Sequence, residues 1–433
     1  MVRVVDLALD PWDLLERWPN SLPVAAAIAG DDTARWSIIG PIAHVSDDPS
    51  TILASTAPGS PPAPDAPPFE SGWIGSLSYE WGWETEPGAA GHAFESHGKN
   101  ARNPATPPRR SQWPTATFAR LEAALIFDHL RGVWWESGHA NLAAQINGIT
   151  AQQCEVGVPR SQMGRRTYEA AAARVLEYIR AGDIYQANIA HALVATFTGR
   201  PLDWFITRGR AARPRYGAFI ESPRAAVASL SPELFLEYLP AERSLITRPM
   251  KGTRPAEQGQ DDLVLAEKDR AELAMIVDLL RNDLGRVSEL GSVRVEVPRE
   301  VERHGSQSRG VLQATATVRS TLRAGLTRED AVRGCFPGGS VTGAPKVRAM
   351  QIIEELEPLP RGPYCGACGV IADQGWMRLN VAIRTALFEA GSLSYSVGAG
   401  IVAESDPAQE WEETLVKARA AWPDTVLNAL HGD

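Results

Sequence analysis

Gly369-Val370-Ile371-Ala372, Leu379-Asn380-Val381-Ala382-Ile383-Arg384-Thr385-Ala386-Leu387 and Leu393-Ser394-Tyr395-Ser396-Val397-Gly398 follow one another as strand candidates, and only then does a helical pattern begin, over Ala408–Ala421. Upstream, Ala225–Leu230, Leu234–Tyr238 and Ser244–Arg248 form a second run of strands, flanked by helical patterns over Thr167–Ala181 and Leu263–Leu280. In the first of these helices Tyr168, Ala172, Val175, Leu176 and Ile179 recur near helical spacing. Gly182-Asp183 ends it, and Ile184–Ala190 alternates like a strand. Ala344–Leu356 reads as a further helix, with Pro345 inside its first turn. Strands and helices that do not alternate strictly point to an α+β fold rather than a doubly wound sheet. The first hundred residues add short apolar segments at Trp36–Gly40 and Gly72–Glu80, joined by the proline-rich stretch Pro58–Pro68, which reads as an extended connector. A second loop, roughly Glu86 to Pro114, is rich in Gly, His, Asn, Arg and Pro.

With 433 residues, 44% of them hydrophobic and 22% charged, the chain has ordinary globular composition and enough length for a large core. A net charge of −9 without any block of like charges argues against nucleic acid and anionic membrane surfaces as partners. The absence of an 18-residue apolar run, and of a signal-peptide core after Met1, leads us to expect a cytoplasmic protein with no membrane association. Four cysteines are too few for a disulfide framework. Cys365 and Cys368 form a lone CxxC with no second ligand pair for zinc, and read as reduced thiols in or near a strand.

Several positions carry chemistry. In Arg248-Pro249-Met250-Lys251-Gly252-Thr253-Arg254-Pro255, Lys251 sits on a sharp, polar piece of backbone. An amine there that faces an enclosed cavity becomes a nucleophile. The Leu263–Leu280 helix carries Asp269, Glu272 and Asp278, with Glu272 embedded in an apolar stretch, so it needs a cation or a metal. The last helix offers Glu410 and Glu413 on one face, with Lys417 one turn beyond Glu413. Two helices giving glutamates to one point would suit Mg2+; the alternative is a solvated helix with a Glu413–Lys417 pair. Phe336–Lys346 combines three glycines, Ser340, Thr342 and Lys346 before a helix, a composition that attracts carboxylate or phosphate. Gly398-Ala399-Gly400 can present bare amides, and Arg384 is a charge inside an apolar strand pattern that calls for an anionic partner.

From Thr167 to Ala421 these motifs stand in the order found in the chorismate-utilising enzymes, which the chain resembles: Asp183–Asn188, Ser231–Phe235, Arg248–Pro255, Ile276–Gly285, Phe336–Lys346 and Gly398–Val402. A weaker likeness runs through Arg35-Trp36-Ser37 and Gly72–Gly75, so the chain is read as an N-terminal region 1–160 and a chorismate-binding catalytic region 161–433. The resemblance implies a large two-sheet antiparallel β-sandwich with flanking helices and the site in its cleft. Gln186 stands where water-using members carry lysine, which implies ammonia as nucleophile. Lys251 stands where anthranilate synthases usually carry alanine, which implies the branch that aminates chorismate at C4 through a lysine adduct at C2. In that branch Glu233 is the general acid, Glu272, Glu410 and Glu413 hold Mg2+, and Thr342, Arg384, Gly398, Ala399, Gly400, Lys417 and Gln313 bind substrate.

No glutaminase module is visible, so ammonia is expected from a separate glutamine amidotransferase subunit, and the product is expected to feed 4-aminobenzoate and folate synthesis. The chain departs from the family pattern at His304–Gly310 and at Val370, where a tyrosine that contacts ligand is usual. Two other readings stay open: anthranilate synthase component I, and a non-catalytic chorismate-binding paralogue.

Overall fold

The computed structural model describes residues 2–31, 33–54, 65–86, 88, 108–138, 141–146, 154–255, 267–304 and 311–431. Among them two antiparallel sheets are formed, one of 13 strands and one of 10. The first runs from Val2–Val5 through Val24–Ala29, Tyr216–Glu221, Ala225–Ser231, Thr385–Glu389 and Ser392–Ile401 to Gln186–Thr198. The second runs from Met250–Pro255 through Val311–Thr321, Ser244–Arg248, Leu234–Leu239, Met377–Val381, Ala367–Ala372 and Gly72–Leu77 to the strands at Ala116–Leu121 and His44–Ser46. Val24–Ala29 pairs with Tyr216–Glu221, and Gly72–Leu77 with Ala367–Ala372. Residues on both sides of position 160 therefore build both sheets.

The sheets share a core in which Ala27, Ile38, Ala218 and Val227 of the first meet Ile74, Ala119, Cys368 and Val370 of the second. Helices Arg165–Arg180, Pro201–Ala212, Lys346–Leu356 and Pro407–Ala418 bury their apolar faces on the outside of the first sheet. Helices Glu267–Val287 and Arg328–Cys335 do the same on the second. This is the α+β sandwich expected, with helices outside. Local chemistry explains its ends: Asp406 accepts from the Ala408 and Gln409 amides and Pro407 occupies the first turn, which starts the last helix.

Some elements differ from the sequence reading. Leu379–Leu387 is two strands: Met377–Val381 lies in the second sheet and Thr385–Glu389 in the first. The chain turns between them at Arg384, whose φ of 50° is left-handed and cannot continue a strand. Lys251 lies within strand Met250–Pro255 rather than on a turn; the pairing slips between Lys251 and Thr253, where Gly252 has φ of 69°. Gly343–Ala344 is a two-residue strand, so the following helix begins at Lys346. Val370 lies in the core between the sheets with no exposed surface, where an apolar side chain belongs. Cys335, Cys365 and Cys368 are buried free thiols, and burial pushes the Cys365 thiol up to about 12. Positions 58–64 of the proline-rich stretch, most of the 86–114 loop and segment 305–310 lie outside the described residues. Among the described residues no helix is long and apolar enough to cross a membrane.

Candidate active site

The strand Gln186–Thr198 pairs with Ser392–Ile401 so that Asn188 stands opposite Gly400, Ile189 opposite Ala399 and Ala190 opposite Gly398. Gly398 O accepts from Lys417 Nζ at 2.8 Å, so this residue directs its backbone away from the Gln186 strand. In a strand the direction alternates, and Gly400 follows Gly398 while Ala399 points back toward Ile189. The neighbouring Thr385–Glu389 strand pairs only with residues up to Tyr395, leaving Gly398 and Gly400 beyond its end. Their amides thus face the open side of the sheet.

Gly400 also lies under an amide-bearing and an amine-bearing side chain. A Cβ on it would stand 3.0 Å from Gln186 Nε2 and 3.2 Å from Lys251 Nζ. Bare backbone is therefore what lets these two groups, from different sheets, converge. Gln186 is fully buried, and neither its Oε1 nor its Nε2 has a hydrogen-bond partner among the described residues. Such a deficit costs about 1–3 kcal/mol per group and would be relieved by a polar ligand. Lys251 Nζ stands 3.7 Å from Glu272 Oε2, on helix Glu267–Val287, with both side chains less than one-fifth exposed.

Glu233 lies between strands Ala225–Ser231 and Leu234–Leu239, and is buried. Its backbone is fixed on both sides: its N–H donates to Ser231 Oγ at 3.2 Å, and its carbonyl accepts from Val381 N at 3.0 Å. Burial pushes its carboxyl up to about 7, against the opposing pull of a hydrogen bond from Ser340 and of the cations Lys251, Arg384 and Lys417. Three cations and an acid with a raised proton affinity therefore face one region. The sequence reading gives Ser340 no role of its own beyond its place in the glycine-rich loop. Its only signal was a second hydroxyl in the glycine-rich loop that also carries Thr342.

Arg384 occupies the corner between the two sheets. Burial pushes its guanidinium pKa down, opposed by Tyr395 and Glu233, and no carboxylate lies within ion-pair distance of it among the described residues. An arginine so placed is poised for an incoming anion.

The Phe336–Lys346 loop is organised differently from expectation. Thr342 Oγ1 donates to Gly338 O and Gly339 O, at 3.1 and 3.3 Å, and so stabilises the loop itself. Lys346 is buried and ion-paired to Asp283 at 2.9 Å, with a further hydrogen bond to Cys335 O at 3.0 Å. A buried ammonium needs such partners, so it is not available as a ligand-binding charge. Gln313, on the Val311–Thr321 strand, is buried opposite Thr253.

On the last helix Lys417 pairs with Glu413 at 2.8 Å, and Glu410 accepts from Ser405 Oγ at 2.6 Å. Asp278, by contrast, is exposed and pairs with Arg281. The side chain of Asp269 lies outside the described residues. Carboxylates of Glu272, Glu410 and Glu413 are hard oxygen donors of the kind Mg2+ takes. Among the described residues, however, no three His, Cys, Asp or Glu side chains gather into a metal-holding group. Ammonium groups of Lys251 and Lys417 stand instead beside Glu272 and Glu413.

Residues 53–423 match the sequence model of a family described as chorismate binding enzyme. The aminodeoxychorismate synthase component 1 of Klebsiella aerogenes is 37% identical over 364 residues, covering 81% of this chain and 76% of the relative. An anthranilate synthase component I-like protein of Synechocystis sp. is 35% identical over 392 residues, covering 85% and 74%. Among solved structures, anthranilate synthase component I from Streptococcus pneumoniae superposes with a TM-score of 0.71 at 25% identity, covering 96% of this chain and 98% of that one.

Proposed function

The chain belongs to the family of chorismate binding enzymes, and we propose that within it the reaction is amination of chorismate at C4 with ammonia, giving 4-amino-4-deoxychorismate. The observation that carries this reading is the convergence of Lys251 Nζ and Gln186 Nε2 over the bare backbone of Gly400, beside the buried acid Glu233.

In the proposed sequence Lys251 first releases its proton to solvent, and the neutral amine attacks C2 of chorismate. The ring double bonds shift, the C4–O bond breaks, and Glu233 delivers the proton with which the hydroxyl leaves as water. An acid whose carboxyl burial raises to about 7 suits that task, since it holds its proton where an ordinary carboxyl has lost it and hydroxide is a poor leaving group. Ammonia then adds at C4, the double bonds shift back, and the lysine amine departs from C2 while the new ammonium gives up its proton. Gln186 supplies an amide to the incoming ammonia. Arg384, Lys417 and the Gly398 and Gly400 amides hold the two substrate carboxylates, with Thr342 and Gln313 in the walls.

Mg2+ would be held by Glu272 and Glu413 with support from Glu410, on the strength of their donor chemistry, and would neutralise a substrate carboxylate and draw electrons from the ring. Ammonia would come from a separate glutamine amidotransferase subunit, and the product would lead to 4-aminobenzoate and folate in the cytoplasm. Removing divalent cations with a chelator is expected to abolish turnover, with recovery on adding Mg2+; undiminished turnover refutes the metal assignment.

Anthranilate formation is the second reading, favoured by relatives of nearly the same identity that bear that name. Incubation of the protein with chorismate, Mg2+ and ammonium at alkaline pH, with products identified by mass, separates the two. Aminodeoxychorismate is expected; anthranilate with pyruvate refutes the proposal.

A further inference from the structure

Glu357 and Arg361 close a gap in the edge of the first sheet, and we propose that they are positioning residues for the site. The strand Gln186–Thr198 is covered at its start by Gly343–Ala344 and further along by Arg160–Ser161 and Glu155–Val156. Among the described residues, positions 188–192 between these short strands meet no strand on that edge. Open there, the edge would leave backbone groups of the buried Asn188 and Ala190 without partners.

Side chains take the place of the missing strand. Arg361 Nη2 donates to Asn188 O at 2.6 Å, and Glu357 Oε1 accepts from Ala190 N at 2.9 Å. The two are joined to each other twice, Nε to Oε2 at 3.0 Å and Nη2 to Oε1 at 2.6 Å. Arg361 Nη1 reaches across to Val341 O at 2.9 Å, between Ser340 and Thr342. Asn188 N donates to Thr342 O at 2.8 Å, which completes the tie between strand and loop. The guanidinium lies over the Tyr79 ring at 4.6 Å, and Glu80 Oε1 accepts from the Arg361 N–H at 2.7 Å, so its own orientation is fixed.

One guanidinium thus sets the separation of two site walls: the strand carrying Gln186, and the loop whose Ser340 bonds to Glu233. Its side chain is 3% exposed and that of Glu357 is 5% exposed. Burying such a pair gains little stability over apolar side chains of similar size, whereas its fixed fork geometry defines distances. Neither residue is among those assigned to touch substrate. The inference rests on the proposed site, though not on which product that site releases.

The test is Arg361→Lys together with the double variant Glu357→Leu/Arg361→Met. Lysine keeps the charge but cannot hold Asn188 O, Val341 O and the carboxylate in one plane. The apolar pair removes both charges, so no unpaired ion remains to unfold the protein. Each folded variant is expected to lose about tenfold or more in kcat, because misplacement of the walls by a fraction of an ångström is enough. KM for chorismate is expected to move less than about threefold, since Arg384 lies on neither of the two walls and keeps its place. A purely structural role would lower the melting temperature without splitting kcat from KM.

A folded variant that turns over chorismate at the wild-type rate overturns the proposal. So does failure of both variants to fold, which would make the pair a determinant of the fold instead. Turnover is followed as loss of chorismate with ammonium and Mg2+, and products are identified by mass. Wild-type release of anthranilate refutes the amination reading alone and leaves the comparison of variants valid. Absence of any wild-type turnover overturns both.

Discussion

Replacing Glu233 by glutamine tests the site where its chemistry and its energetics meet. The carboxyl is 5% exposed, and burial raises it from an ordinary 4.5 to about 7. Between those two values the unfolded chain has released its proton while the folded chain retains it. Stability then falls as pH rises from 4.5 toward 7, is complete below that window, and is flat above it. The whole effect is roughly 3 kcal/mol. Glutamine has nearly the same shape and no charge, so the variant avoids this loss. For a chain of this size about 3 kcal/mol corresponds to roughly 3 °C. We expect Glu233→Gln to melt with the wild type at pH 4 and a few degrees above it at pH 8.

Activity should move the other way. Loss of a general acid typically costs about 10²–10⁴-fold in rate. In the wild type, kcat/KM for chorismate, measured at constant free-ammonia concentration, should decline as pH rises through about 7, and that limb should vanish in the variant. Differential scanning calorimetry at the two pH values and a pH–rate profile are the assays. A variant that keeps the same declining limb, or full turnover, refutes Glu233 as the acid. One that is more active or no more stable at pH 8 refutes the burial argument behind it.

Lys251→Ala should reduce aminodeoxychorismate formation to background while chorismate still binds, read by calorimetry; unimpaired turnover rules out covalent catalysis by this amine. Gly400→Ala places a methyl 3.0 Å from Gln186 Nε2 and 3.2 Å from Lys251 Nζ. Both groups must shift by a few tenths of an ångström, and kcat should fall about tenfold; steady-state rates unchanged from wild type would show that the two side chains do not need their present approach. Arg384→Gln removes a buried cation that faces the site and has no ion-pair partner among the described residues, and should raise KM for chorismate about 10–100-fold, as loss of a charge-assisted bond implies. An unaltered KM would take Arg384 out of the substrate contacts.

Much of the fold was readable because its signals are local. Ser244–Arg248 is a strand with the boundaries its β-branched pattern suggests, and the amphipathic spacing from Tyr168 to Ile179 places the Arg165–Arg180 helix to within two residues. What failed were features set by the backbone's path between sheets. The run Leu379–Leu387 keeps apolar residues in both halves because both are buried, so hydrophobicity carries no mark of the crossing. The only mark is Arg384, and a left-handed φ on a non-glycine residue has no composition signal.

The site divides in the same way. Lys251 and Arg384 were legible as residue types out of place in their surroundings, whereas Glu233 and Gln186 were legible only through the family resemblance; the structure brings the charged groups of Lys251, Arg384 and Glu233 to one region. Lys346 looked equally purposeful in its glycine-rich loop, yet its charge is absorbed by Asp283, 63 positions away, and no local pattern could assign that partner. Glu357 and Arg361 show the converse. In the sequence they are an i, i+4 pair around Pro358-Leu359-Pro360, which reads as a surface turn. Their burial becomes intelligible only through the gap in the strand edge, whose Ala190 and Asn188 lie 167 and 173 positions upstream of the side chains that fill it. A residue that acts on substrate leaves its mark in its own chemistry, whereas one that spaces the walls is visible only once the walls are in place.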